Sequence, residues 1–189
     1  DLGIPSVLHS MGNLFDTDEA VEMTRVLAAV AEPNHEQMLR VALATDMLGV
    51  GGEDLERLMR DETGWEDWLV RFREYYEMGE RHGFIRMFRY FLLREKVRTR
   101  LLSFPDGERR LTNMLHLSEV LHQESTERKL GMVGLLKWLR QQRDPDSPRL
   151  EEHQLRLESD ANAVKIVTIH KSKGLEYPIV FCPFNWGGS

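Results

Sequence analysis

A single cysteine, Cys182, stands in a sequence of 189 residues. One thiol excludes a disulfide framework and a thiolate metal site, and it predicts a protein of the reducing cytoplasm. Long apolar runs are missing too. No stretch reaches the roughly 18 residues that cross a bilayer, and no signal peptide opens the chain. Net positive charge is also absent. The formal net charge of −6 excludes a protein that coats DNA through bulk charge, but it leaves room for a local basic patch. The phosphate-cradling pattern Gly-x-x-x-x-Gly-Lys-Ser/Thr does not occur, and no acidic pair for a metal-binding Walker B step can be placed. NTP hydrolysis by this chain alone is therefore not expected. Nor do His9, His35, His82, His116, His122 and His153 stand at metal-ligand spacing with carboxylates.

What is present is a globular composition, 41% hydrophobic and 30% charged. The length suits one domain, or one domain with part of another. Asp1-Leu2-Gly3-Ile4-Pro5 leads straight into an apolar run, the pattern expected of an excised segment.

Along the chain, Ile4 to His9 reads as a short strand. Asp16 and Glu19 have the spacing of a capping box, and Ala20, Met23, Leu27 and Val30 behind them form one helical apolar stripe. Pro33 ends that helix. Asn34 and Gln37 form a second capping-box pattern, before Leu39, Ala42 and Leu43. Gly49-Val50-Gly51-Gly52 is a turn opening a helix with Leu55, Leu58 and Met59. Trp65, Trp68, Leu69, Phe72, Tyr75 and Tyr76 then recur at helical spacing, which predicts a helix core rather than a base-stacking surface. Phe84, Met87, Phe88 and Phe91 continue the pattern. A loop at Ser103–Gly107 precedes a helix marked by Leu111, Met114, Leu115 and Leu121, and Val133, Leu136, Trp138 and Leu139 mark another. Residues 141–152 turn polar and read as an exposed linker.

The last part changes character. Val164–Ile169 and Ile179–Phe184 are rich in β-branched residues and read as strands buried on both faces, with Cys182 inside the second. The first delivers a polar cluster at its carboxyl end, where ligands of open α/β sheets bind. Lys171 and Lys173 suit an anion, Gly174 permits close approach of a phosphate, and Glu176 can accept from a sugar hydroxyl. Basic residues also gather at Arg94, Lys96, Arg98 and Arg100, and again at Arg109 and Arg110. Such clusters are ordinarily a solvated helix face, and here they are the candidate local patch for DNA.

The run Thr168-Ile169-His170-Lys171-Ser172-Lys173-Gly174-Leu175-Glu176-Tyr177-Pro178 resembles motif V of the UvrD-like superfamily 1 DNA helicases, T-x-H-x-(S/A)-K-G-L-E-(F/Y)-P, at every position. Ile4-Pro5-Ser6-Val7 with Phe15 and Glu19 resembles the motif IV region, although Leu14 stands where many relatives carry a basic or aromatic residue. Gly107-Glu108-Arg109-Arg110-Leu111-Thr112-Asn113 and Leu157-Glu158-Ser159-Asp160 extend the likeness. Lys171 and Tyr177 favour the RecB-type helicase–nuclease branch over the related AddA-type branch.

The resemblance implies a mostly α chain, with a helical 2B subdomain inserted between strands of a partial α/β, RecA-like 2A motor domain. Residues 1–47 would be the first part of 2A, 48–160 the insertion, and 161–189 the return to 2A. It implies that Glu176 binds the ribose of ATP, with Gly174 and Lys173 near its phosphates, and that Thr168 and His170 face single-stranded DNA. The Gly49–Gly51 turn resembles a glycine turn that touches duplex backbone in relatives, and with Arg94, Arg98 and Arg100 it completes the expected DNA contacts. The parent protein would use ATP with Mg as a helicase and exodeoxyribonuclease in double-strand break repair, with RecC-like and RecD-like partners. The chain itself would be non-catalytic and hold no cofactor. A helical module that docks partner proteins is the alternative, and an exposed aromatic face over residues 65–76 would favour it.

Overall fold

Thr17 sets the start of the first long helix. Its hydroxyl accepts from the Ala20 N–H at 3.2 Å and donates to the Leu14 carbonyl at 2.7 Å, tying a 3-10 turn (Leu14–Asp16) to helix α1 (Asp18–Ala31). Asp18 and Glu19 in its first turn complement the positive end of the helix dipole. The cap is therefore Thr17 and not Asp16, because the Glu19 carboxylate is engaged elsewhere, with Arg110 and Asn113. The second expected capping box is also absent: α2 (Glu36–Leu43) follows His35, which makes no side-chain cap.

The computed structural model describes residues 6–8, 13–147, 164–166, 176 and 178–182. Two compact units divide the chain, Met11–Ser159 and a second made of Asp1–Ser10 with Asp160–Ser189. In the first unit α1 and α2 are followed by α3 (Gly52–Arg60), α4 (Glu62–His82), α5 (Phe84–Arg94), α6 (Val97–Leu101), α7 (Gly107–Glu127) and α8 (Met132–Gln142). The described part of the chain is thus mostly helical, as expected. Helix α1 is central, with α2, α4, α7 and α8 as neighbours. Its apolar stripe is buried, including Met23, Leu27 and Val30. The first two helices, which the sequence reading groups with the flanking strands, pack inside this helical unit.

The aromatic stripe of α4 faces inward, as its spacing predicts. Phe72 and Tyr75 are fully buried, and Trp65, Trp68 and Tyr76 are half-buried against the same core. Tyr75 meets Phe91 edge to face at 5.4 Å, and Phe84, Phe88 and Phe91 stack in series along α5. Trp138 of α8 meets Phe15 edge-on at 5.6 Å. Val133, counted with the buried side of α8, instead stands 59% exposed.

In the second unit, β1 (Ser6–Leu8) and β2 (Val164–Ile166) pair in parallel, with Ser6 opposite Val164 and Leu8 opposite Ile166. The expected strand at 179–184 is not found where the chain is described. Residues 179–182 form no strand, and Ile179, Val180 and Phe181 are 75%, 65% and 85% exposed. Cys182 is likewise exposed, not buried. A β-branched run becomes a buried strand only when sheet neighbours pair with it and other elements cover it. No such partner pairs with 179–182 among the described residues.

Candidate nucleic-acid interface

Of the motif residues, Glu176 is exposed. Thr168, His170, Lys173 and Gly174 lie outside the described residues. The candidate DNA contacts in the helical unit are all described, and the fold brings some of them together.

Gly49 and Arg100 meet directly. Gly49 has a φ of 67°, in the left-handed region that side chains disfavour, and its N–H closes the turn on the Thr45 carbonyl at 2.6 Å. A Cβ there would stand 2.6 Å from Cδ and 2.7 Å from Nε of Arg100. The Arg100 guanidinium lies over this turn and donates to the carbonyls of Met47 and Glu95. It links α6 to the turn before α3 through one terminal nitrogen, which both carbonyls share.

Arg94 is also engaged. It donates to Glu74 and lies over the rings of Tyr90 and Tyr75 at 5.7 and 5.8 Å. The hydrogen bond to Glu74 holds its pKa above the ordinary arginine value. Behind it, the buried Glu95 carboxylate accepts from the Tyr75 hydroxyl and lies 3.5 Å from Arg71. Burial, with the hydrogen bond to Glu95 next, pushes the Tyr75 phenol up, so it stays protonated well beyond the usual tyrosine range. Arg98 and Gly51 stay exposed. The five expected contacts therefore divide: Arg98, Gly49 and Gly51 reach solvent, whereas Arg94 and Arg100 serve the scaffold beneath them.

Arg110 departs furthest from a solvated face. It is 8% exposed and bonds to three carboxylates: Glu19 at 3.2 Å, Glu22 at 3.3 Å and Asp46 at 2.8 Å. Its guanidinium covers the Phe104 ring at 4.6 Å. Asn113 donates to the other oxygen of Glu19, and Glu22 accepts from the Asp46 and Met47 N–H groups. This network joins α1, the turn at 45–47 and α7. Burial opposes the Arg110 charge, but the bond to Asp46 and the surrounding carboxylates hold its pKa up. Burial, and then the nearby Asp46 charge, raise the Glu22 carboxyl above its usual range. The neighbouring Arg109 is exposed and pairs with Asp106.

Sequence reasoning missed two groups. Glu22 carries no local signal, and the local signal of Glu19 points to a helix cap instead, because their partner Arg110 is distant in sequence. Arg86 and Arg89, both exposed on α5, were legible as the polar positions between Phe84, Met87, Phe88 and Phe91. Among the described residues no group of His, Cys, Asp and Glu side chains is placed to hold a metal, and no helix is long and apolar enough to cross a membrane.

Residues 72–184 match the family model of the UvrD-like helicase C-terminal domain. The chain is 43% identical over 185 residues to the RecBCD enzyme subunit RecB of Escherichia coli K12, and 39% identical over 184 residues to that of Haemophilus influenzae. Its identity to RecB of Mycobacterium tuberculosis is 32% over 185 residues. Each of these alignments takes in 97% of this chain but only 15–16% of the relative.

Proposed function

The chain belongs to the UvrD-like helicase C-terminal domain family and is similar to RecB along nearly its whole length, and from this we propose that it forms part of the motor of an ATP-dependent DNA helicase and exodeoxyribonuclease. The observation that carries the reading is the continuous likeness over 97% of the chain, which takes in both flanks as well as the helices. The parent protein would act in the cytoplasm, in double-strand break repair and recombination. The relatives' name describes a subunit of the RecBCD enzyme, and RecC-like and RecD-like partners are carried over on that basis.

In this reading residues 1–47 and 161–189 belong to the 2A motor domain and residues 48–160 to its 2B insertion. The parallel pairing of β1 with β2 supports it, since a segment inserted between adjacent parallel strands gives that order. The phosphate-cradling loop and the Mg-binding acidic residues would lie elsewhere in the parent, so this chain would not hydrolyse ATP by itself. Its part is coupling. Glu176 would hold the ATP ribose, Gly174 and Lys173 would approach the phosphates, and Thr168 and His170 would touch the single strand. Gly49, Gly51 and Arg98 would face duplex, on a support held by Arg94 and Arg100. An AddA-type parent is the alternative within the family. The partner-docking alternative loses the aromatic face it called for, because Phe72 and Tyr75 point into the core.

The test is ATP hydrolysis by the full-length protein on single-stranded DNA, with and without Glu176→Ala. Loss of a hydrogen bond between a charged group and the ribose is expected to raise the KM for ATP by about tenfold. A parent protein without DNA-dependent hydrolysis refutes the reading, and an unchanged KM removes Glu176 from it.

A further inference from the structure

The glycine turn at residues 49–51 gets no anchor from the helix it opens. Helix α3 has no fully buried residue and packs on α4. Side chains from three other helices grip the backbone just before the turn instead. Glu22 of α1 accepts from the Asp46 N–H at 3.3 Å and from the Met47 N–H at 3.1 Å. Successive backbone N–H groups make a concavity that binds anions, and here a carboxylate of the same unit fills it. The Met47 carbonyl accepts from the Arg100 guanidinium of α6, which also donates to the Glu95 carbonyl at 3.1 Å. Arg110 of α7 donates to the Asp46 carboxylate at 2.8 Å and to that of Glu22 at 3.3 Å. Both backbone groups of Met47 are thus fixed by charged side chains, two residues before Gly49.

Anchoring alone does not call for these bonds. Met47 and Leu48 are 0% and 4% exposed, so their side chains already hold the segment against the core. Burial has no direction, whereas a hydrogen bond to an N–H or a carbonyl does. The polar grips therefore set how the backbone is oriented, and that orientation passes directly into the turn. Gly49 follows at a φ of 67°, its N–H closes on the Thr45 carbonyl, and Cδ and Nε of Arg100 occupy the space that a Cβ would need. We propose that Glu22 is a positioning residue for the Gly49–Gly51 turn: acting with Arg100 on the other side of Met47, it fixes the direction in which the turn is presented. Glu22 is 8% exposed and acts through the Met47 backbone, not by touching DNA. Helix α1 is the first long helix after β1 in the chain, so the same grip ties the turn to the helix that follows the sheet strand. The proposal rests on the helicase reading, in which this turn meets duplex, and deepens it.

The experiment uses the full-length protein and measures two quantities for each variant: the KM for a blunt duplex in an unwinding assay, and kcat for ATP hydrolysis on single-stranded DNA. Glu22→Gln keeps the side-chain shape but turns an amide donor toward a backbone donor. It is expected to raise the duplex KM about tenfold, the effect of one lost contact of hydrogen-bond size, and to leave the single-strand kcat within about twofold. Arg100→Met keeps a side chain over Gly49 but removes the donor to Met47, and the same signature is expected. Glu80→Ala removes a carboxylate acceptor of the same kind from the start of α8, where Glu80 accepts from the Met132 N–H at 2.7 Å, and is expected to leave the duplex KM unchanged. Gly51→Asp puts a negative charge on the turn itself. Its Cβ would meet nothing nearer than 3.8 Å and Asp is a favoured helix cap, so the fold accepts it, and a raised duplex KM is expected. A raised KM in Gly51→Asp with an unchanged KM in Glu22→Gln and Arg100→Met overturns the proposal. So does an equal loss of duplex and single-strand activity in Glu22→Gln, or the same KM change in Glu80→Ala, since either marks lost stability alone. An unchanged KM in Gly51→Asp shows that the turn does not meet duplex, and the reading beneath the proposal then fails and takes the proposal with it.

Discussion

Replacing Arg110 with methionine keeps much of the side-chain volume but removes the cation that touches Glu19, Glu22 and Asp46 together. Glu19 and Glu22 are 5% and 8% exposed, so their charges cannot simply return to water. Breaking a buried ion pair from one side costs about 3–5 kcal/mol. Several hydrogen bonds soften the loss, since Asn113 still donates to Glu19 and two backbone N–H groups still donate to Glu22. The Asp46 side chain, 47% exposed, rehydrates. The expected cost therefore sits at the low end, about 3 kcal/mol, with the lost stacking on Phe104 inside that figure. For a chain of this size that lowers Tm by about 6–12 °C. Thermal and urea unfolding followed by far-UV circular dichroism measures it. Arg110→Lys, which keeps the charge but not the planar fork, is expected to cost less. Glu22→Gln combined with Arg110→Met is expected to show a coupling of about 1–3 kcal/mol between the two sites. A loss below about 1 kcal/mol for Arg110→Met, or a gain in stability, would refute the view that this network holds α1 to α7.

Two further predictions concern the same helical unit. At Gly107 a Cβ would stand 2.3 Å from the Leu101 carbonyl oxygen and 2.8 Å from the Leu102 Cα, both rigid backbone. Gly107→Ala is therefore expected to cost about 1–3 kcal/mol in urea unfolding. Gly134→Ala in α8, where the nearest neighbour is a leucine methyl at 3.4 Å, is expected to gain up to about 1 kcal/mol. Equal effects at the two sites would contradict the packing. The raised pKa of Glu22 means that the folded chain binds this proton more tightly than the unfolded chain. Its contribution is complete below the ordinary carboxylate value and is lost as pH rises through the folded value. The stability deficit of Glu22→Gln relative to the parent is thus expected to shrink from about pH 4 to about pH 7. A deficit that grows with pH would reverse the assignment.

How much of this was legible in the sequence depends on how local the cause is. Helix α4 was readable because its aromatics repeat at the period of the helix, and Phe72 and Tyr75 are buried as that period requires. The turn at Gly49 was readable from glycine alone. The cap of α1 was not, because Glu19 is drawn to Arg110, 91 residues away, leaving Thr17 to begin the helix. Arg110 looked like one more member of a solvated basic pair, and only its three acidic neighbours, brought from α1 and the turn before α3, make it a buried residue. The same limit explains why Arg94 and Arg100 looked like free cations, since Glu74 and the carbonyls of Met47 and Glu95 reach them only in the folded state. Residues 179–182 show the reverse case. A β-branched run promises a strand, but pairing and cover must come from elsewhere in the sheet.

The register of β1 against β2 bears on how this protein comes to be folded. Ser6 finds Val164 only after the whole helical segment between them has been made, and closing a disordered loop of that length carries an entropic cost of about 4–5 kcal/mol. Three-residue strands have too few ladder bonds to meet such a cost from an unfolded start. Helices α1–α8, whose contacts include many between near neighbours such as α1 with α2 and α4 with α5, can form without that closure. During synthesis, then, β1 meets β2 only once the helices between them have been made and have had the chance to take shape.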